Sequence, residues 1–386
     1  MYIAVDAMGG DHAPRAVVEG ALLAAQEYGI AVLLVGDQER IQQELRQAGG
    51  QESSLVTIRH ASEAIDMGES PIAALRHKPD SSLQVAFQLV KAGEAGAVVS
   101  AGNSGAVLAL AVTVLGTLAG VDRPAVVTAI PTLNGRTCLL DSGVNVECKP
   151  LHLVQFAVMG EIYARVVRGV RSPRVGMLSN GEEDSKGTDL TRLAHELLKK
   201  LPLNYVGYVE GRDLNSGIVD VIVTDGFTGN VVLKTLEGFN EFMQKQLRTV
   251  FASQWRGKLA YLLTRRAFAD LRANLDYAEV GGAPLLGTDG LTIIAHGAST
   301  PKAIKNAIRV ADESLQRGIN RQIVDGLRAL PEIVLLQAEL KRGRKLWTQI
   351  KERFRHPAVL PGHPRRQELR LRGRADKCPD NVHTCR

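Results

Sequence analysis

The chain has 386 residues, too many for a small stapled module and enough to bury one large core or two ordinary ones. Hydrophobic residues make up 45 % and charged residues 23 %, which excludes wholesale disorder. The formal charge is +6, but Pro331 to Arg386 alone carries 14 Lys and Arg against 6 Asp and Glu, so the basic surplus belongs to the tail and makes no case for a nucleic-acid partner.

Aromatics are only 4 %, so aliphatic side chains must fill the core, and 38 glycines imply many tight turns. Four cysteines cannot form a disulfide framework at this length, which points to a reducing compartment. The N-terminus has no basic region before its apolar residues and places Asp6 where an export signal would stay apolar, so a cytoplasmic protein is expected.

Short apolar runs predict strands at Tyr2–Val5, Ala31–Val35, Leu55–Ile58, Ala97–Ser100, Ala125–Ile130, Thr137–Leu140, Val175–Leu178, Tyr205–Val209, Val219–Thr224 and Leu291–Ala295. Several are apolar on successive residues, as parallel strands buried on both faces require. Segments of helical period lie between them at Ala16–Tyr28, Gly105–Leu118, Leu151–Val167, Thr188–Leu201 and Lys302–Gln316. That alternation predicts a three-layer α/β fold with a mainly parallel sheet. Nothing between Glu94 and Asp122 is charged, but its polar Ser100–Gly105 loop leaves too short an apolar stretch to span a bilayer. With no internal repeat and no linker before residue 330, residues 1–330 are expected to form one unit.

Two segments depart from this pattern. Across 239–275, Phe239, Phe242, Met243, Leu247, Val250, Phe251, Trp255, Leu259, Leu262 and Leu263 recur at steps of three and four. Lys245, Arg248, Arg256, Lys258, Arg265 and Arg266 lie among or just after them. Such an amphipathic helical segment suits an anionic membrane surface or an acidic partner, and equally a stripe packed on the sheet or against a second subunit. Residues 331–386 form a basic tail, expected to be partly helical and then disordered beyond Pro357.

The chemical signal lies in five glycine-rich loops, each after an expected strand: Asp6–His12, Ser100–Gly105, Asn180–Gly187, Asp225–Asn230 and Ala295–Thr300. In a parallel sheet such loops gather at the carboxyl edge, where main-chain N–H groups and helix N-termini can hold an anion. The phosphate-loop, dinucleotide and nucleophile-elbow motifs are absent. Cys138 and Cys148 read as structural, and no cysteine spacing suggests a metal site. His12, His152 and His296 stand near loops or helix starts and read as structural. Lys186, among Glu182, Glu183 and Asp184, fits both an anion ligand and a solvated charge cluster.

At these residues the chain resembles the bacterial phosphate acyltransferases of phospholipid synthesis. The matching stretches are DAMGGDHAP from Asp6, SAGNSGA from Ser100, NVECKPLHLVQFAVMGEIYA from Asn145, GEEDSKG from Gly181, DGFTGNVVLKTLEG from Asp225, GGAPLLG from Gly281 and AHGAST from Ala295. Asn180 replaces the family's usual aliphatic residue, and Ser142-Gly143-Val144 its usual Val-Gly-Ala. The resemblance implies a fold similar to isocitrate and isopropylmalate dehydrogenases and to phosphotransacetylases. It also implies a homodimer, peripheral at an anionic membrane, that needs no cofactor or metal. Such an enzyme moves a fatty acyl group from acyl carrier protein to inorganic phosphate, and the acyl phosphate would pass to a membrane glycerol-3-phosphate acyltransferase. Lys186 and Asn230 match the family's active-site lysine and asparagine.

The chemistry agrees with the missing triad, because phosphate is already an anionic nucleophile and a thiolate leaves with little acid help. Expected roles follow. Lys186 and the N–H groups of Gly9, Gly10, Gly102 and Gly105 hold phosphate, and Asn230 donates to the carbonyl oxygen. Lys258, Arg265 and Arg266 dock the acidic carrier, and Trp255, Leu259, Leu262 and Leu263 contact membrane. Two other readings stay open: a metal- and NAD-dependent hydroxyacid dehydrogenase on the same fold, and a non-enzymatic scaffold for carrier protein or membrane.

Overall fold

The computed structural model describes residues 1–252, 261, 263–266, 280–331 and 333–334. Its compact unit spans Met1–Gln337. The strands are β1 (Tyr2–Asp6), β2 (Val32–Gly36), β3 (Val56–His60), β4 (Ala95–Ser100), β5 (Ala125–Thr132), β6 (Gly135–Leu140), β7 (Val175–Leu178), β8 (Tyr205–Val209), β9 (Val221–Val223), β10 (Ala283–Leu286) and β11 (Leu291–Ile294). They form one sheet in the order β3-β2-β1-β4-β11-β10-β5-β6-β9-β7-β8.

The helices are α1 (Arg15–Tyr28), α2 (Gln38–Gln47), α3 (Pro71–His77), α4 (Ser82–Lys91), α5 (Ser104–Leu110), α6 (Pro150–Val166), α7 (Asp189–Leu198), α8 (Gly226–Ala252), α9 (Pro301–Gln316) and α10 (Ile319–Arg328). A π-helical turn, Ala111–Leu115, prolongs α5. Local chemistry sets many of the ends: Asp37 accepts from the Arg40 N–H at the start of α2, and Gly29 closes α1 in the left-handed conformation.

Helices cover both faces of the sheet. Ala4, Leu33, Val35 and Val98 pack in one cluster with α4 and α5. Ile3, Val5 and Leu34, equally buried, alternate with them along the strands and so face the other side. In α6 the buried residues run all round the helix, including Leu153, Phe156, Met159 and Ile162. A helix apolar on every side belongs in the interior. The three-layer, mainly parallel architecture expected from the sequence is the one observed.

The expectation that the glycine-rich loops share one carboxyl edge is corrected. The β10–β11, β10–β5 and β5–β6 pairings are antiparallel, while the remaining neighbours run parallel. The strand direction therefore reverses between β11 and β6. Loops after β1, β4 and β11 leave one edge, and loops after β6, β7 and β9 leave the other. The two pairings of β10, a four-residue strand containing Pro284 that the apolar pattern does not mark, cancel each other, so the net reversal is made by the antiparallel β5–β6 hairpin. The amphipathic segment continues the helix that opens beside Asn230. That helix starts at Gly226, well before Phe239, and runs without a break to Ala252.

Candidate functional site

At the first edge, Asp6 ends β1 with 2 % of its surface exposed. Ser82 Oγ donates to its Oδ1 at 2.6 Å and Ser100 Oγ to its Oδ2 at 2.7 Å. Burial pushes this carboxyl up, and the two hydroxyls with the Met8 and Gly9 N–H groups pull it back. The loops here are stitched to one another. A Cβ at Gly9 would lie 2.8 Å from Gly102 N, and the Asp11 N–H donates to Gly297 O at 2.8 Å. Gly10, at φ +113°, sits 3.1 Å from that same oxygen by the same measure.

Asn103 caps α5 by accepting from the Ala106 N–H at 3.1 Å, and its amide donates to the Met67 and Glu69 carbonyls. Gly105 lies against Pro71. The Gly102 N–H donates to Ser100 Oγ at 3.0 Å and the Gly9 N–H to the Asp6 carboxylate, so two of the four expected glycine donors are already engaged.

The other edge holds Lys186 and Asn230, at the ends of the adjacent parallel strands β7 and β9. The loop after β6 lies beside them. Asp141 is fully buried there and accepts from the N–H groups of Val126, Val144 and Asn145 and from the Asn145 amide at 2.9 Å. Burial pushes its carboxyl up, against the pull of these donors. The Asn145 carbonyl accepts the Gly226 N–H at 2.8 Å, which ties this loop to the first turn of α8. Asp225 caps that turn, taking the Thr228 N–H at 2.9 Å and its hydroxyl at 2.8 Å.

Asn230 is exposed one turn into the helix, with its Oδ1 3.5 Å from where a Cβ of Gly143 would be. Among the described residues its amide makes no hydrogen bond. Phe227 and Val231, exposed at 61 % and 51 %, flank it on the same helix face.

Lys186 sits in the turn Gly181–Gly187, closed by its own N–H to Glu183 O at 2.9 Å. Its stem crosses Gly181, where a Cβ would come within 2.7 Å of Lys186 Cγ. Two of the three neighbouring acids are engaged elsewhere. Glu182 pairs with Arg212 at 3.3 Å, and Asp184 bonds His195 at 3.1 Å and Lys199 at 2.6 Å. Among the described residues, Lys186 forms no ion pair. Lys186 and the three acids before it are exposed, which fits both a solvated charge cluster and an anion ligand.

Cys148 is no nucleophile. Burial, with Asp141 and Asp225 nearby, pushes its thiol up to about 12, and burial pushes Cys138 to about 11. His152 is buried at the start of α6. Its Nδ1 accepts from the Lys149 N–H at 3.1 Å, and burial holds its pKa down despite Asp122 at 3.4 Å. Among the described residues no group of three or more His, Cys, Asp and Glu is placed to hold a metal.

Of the remaining expected site residues, Leu263 is 78 % exposed, and Arg265 and Arg266 are exposed. Trp255, Lys258, Leu259 and Leu262 lie outside the described residues, as does the tail from residue 335. Sequence reasoning passed over Asp141 and Asn145. A polar Asp after an apolar strand, followed by a glycine loop, was the available signal.

A sheet of this topology between two helix layers, with polar glycine-rich loops at its edges, defines a three-layer α/β protein. The fold is similar to that of a phosphotransacetylase from Streptococcus pyogenes, with a TM-score of 0.57 and 17 % identity over 82 % of this chain and 94 % of that one. It is also similar to a branched-chain phosphotransacylase from Enterococcus faecalis, with a TM-score of 0.53 and 15 % identity over 82 % of this chain and 99 % of that one. Residues 1–322 match the family described as "Fatty acid synthesis protein", and the chain belongs to it. The phosphate acyltransferase of Geotalea uraniireducens is 54 % identical over 340 residues, 88 % of this chain and 98 % of that protein. That of Geobacter sulfurreducens is 54 % identical over 325 residues, 84 % and 94 % of the two chains.

Proposed function

We infer that the protein transfers a fatty acyl group from a thioester to inorganic phosphate, forming an acyl phosphate for phospholipid synthesis. The observation that carries this reading is the unpaired Lys186 ammonium, held on the same sheet edge as the unbonded amide of Asn230. The phosphate acyltransferase relatives support it and do not favour the dehydrogenase or scaffold readings.

In this mechanism Lys186 orients phosphate, and a phosphate oxygen attacks the thioester carbonyl carbon. The carbonyl electron pair moves onto oxygen, where the Asn230 amide N–H meets the developing charge. Collapse of that intermediate expels sulfur with its bonding pair, giving the acyl phosphate and a thiolate that takes a proton from water. Phosphate needs no base to attack at neutral pH, so neither thiol nor imidazole is required. Gly9, Gly10, Gly102 and Gly105 form the opposing wall of the cleft. A sheet twist of roughly 20–25° per strand, accumulated over the steps from β1 to β9, turns loops of opposite edges toward one another. In this role Gly10 and Gly105 offer N–H groups, while Gly9 and Gly102, whose N–H groups are held by Asp6 and Ser100, shape the wall.

The acyl donor in this reading is acyl carrier protein, with Lys258, Arg265 and Arg266 facing its acidic surface. Its binding should weaken steeply with added salt. Phe239, Phe242 and Val250, each more than half exposed on α8, support a membrane surface or a second subunit as the cover of that stripe. Among the described residues no helix is long and apolar enough to cross a membrane.

The test is acyl-phosphate formation by Lys186→Ala and Asn230→Ala. Loss of one oxyanion donor lowers kcat by roughly 10²–10³-fold, which is the expectation for Asn230→Ala. Lys186→Ala is expected to raise the KM for phosphate most. Near-normal turnover in both folded variants would overturn the assignment.

A further inference from the structure

His195, on α7, is 2 % exposed, yet both its ring nitrogens are bonded. Nε2 lies 3.1 Å from Asp184 Oδ1 and Nδ1 lies 2.6 Å from Tyr205 Oη. An ionised Asp184 only accepts, so Nε2 carries a proton, and in the neutral ring the Tyr205 hydroxyl donates to Nδ1. Burial pushes the Tyr205 pKa well above its ordinary value, which keeps that hydroxyl a donor. The ring also stacks on Tyr208, with centroids 4.3 Å apart and planes 13° apart. Lys199 Nζ holds the second oxygen of Asp184 at 2.6 Å.

Asp184 thus sits in an exposed turn with both oxygens gripped from α7. A cleft of about 300 Å³ lies beside it, lined by Glu182, Asp184, His195, Lys199, Tyr205 and Tyr208 among others. Here the turn is tethered by hydrogen bonds where packing is sparse. The imidazole thus joins the Tyr205 hydroxyl to the carboxylate in the turn. Two residues beyond Asp184 stands Lys186.

We propose that His195 is a positioning residue: through Asp184 it fixes the turn Gly181–Gly187 and so aims the Lys186 ammonium at the phosphate. The proposal rests on Lys186 being the phosphate ligand.

The test is initial rates against phosphate concentration for full-length Asp184→Ala, His195→Ala and His195→Gln, each also combined with Lys186→Ala. His195→Ala removes one hydrogen bond to the Asp184 carboxylate and Asp184→Ala removes that and the Lys199 contact, so each should raise the KM for phosphate by about tenfold or more, with kcat changed by less than about twofold. His195→Gln can keep an N–H near the Nε2 position and should restore KM. In the Lys186→Ala background the same changes should have no further effect.

Wild-type KM in Asp184→Ala and His195→Ala, beside a defective Lys186→Ala, overturns the proposal and leaves the active-site reading standing. Normal kinetics of Lys186→Ala itself overturn that reading and this proposal with it. A loss that persists undiminished in the Lys186→Ala background also overturns the proposal. Should His195→Ala fail to fold, Asp184→Ala and Tyr205→Phe distinguish the same outcomes, because Asp184 is exposed and Tyr205→Phe keeps the buried ring.

Discussion

Two glycines show how single atoms place the candidate site. Gly226 and Gly229 stand three residues apart on one face of α8, which puts both against the loop after β6. A Cβ at Gly226 would lie 2.6 Å from Asn145 N, and one at Gly229 would overlap the Asp141 carbonyl oxygen. Main chain meets main chain here, and the opposite face presents Phe227, Asn230 and Val231. Gly229→Ala is therefore expected to destabilise the protein by about 2–4 kcal/mol, read by urea unfolding. Gly238→Ala, with nothing near its Cβ, is expected to stabilise the same helix by up to about 1 kcal/mol. The two glycines look alike in the sequence, where the DGFTGN motif marks a close approach without saying to what.

Among the elements, β7 and β9 are locked at the end away from the site by Arg174 and Asp220. Arg174 Nε lies 3.0 Å from Asp220 Oδ2, Nη2 lies 3.1 Å from Oδ1, and the Arg174 N–H donates to Oδ2 at 2.8 Å. Burial is the largest single influence on Asp220 and pushes its carboxyl up, but the contacts from Arg174 together hold it below the usual range. A lowered folded pKa gives stability above the unfolded value that is lost as pH falls through the folded one. The Tm difference between wild type and Arg174→Ala should thus be widest near neutral pH and should shrink as pH falls below about 4. Calorimetry across pH 2–7 checks this, and a pH-independent difference would refute it. At this scale the apolar runs were legible because strands buried on both faces must be apolar. The short β10, with its proline, carried too little pattern to stand out.

For the whole molecule, a phosphate site predicts ligand-linked stability. At phosphate concentrations near 100 times its dissociation constant, the folded state gains about 2.7 kcal/mol. Over the unit Met1–Gln337, an unfolding entropy of roughly 2.1 cal/mol/K per residue turns this into a Tm rise of about 4 °C. The rise should disappear in Lys186→Ala, and a scanning fluorimetry titration with chloride as the control anion measures it. An equal rise in both proteins would remove Lys186 from the phosphate site.

The linear sequence was sufficient for the alternation of strand and helix, the aliphatic core, the glycine-rich loops and Lys186 and Asn230 as candidates, because periodicity, turn chemistry and motif are local properties. Tertiary structure alone decided which loops share an edge, because the number of antiparallel steps between β11 and β6, with the unmarked β10 among them, sets the direction of the far strands. It also decided that Glu182 and Asp184 are engaged while Lys186 forms no ion pair among the described residues, since their partners Arg212, His195 and Lys199 are brought beside the turn only by folding.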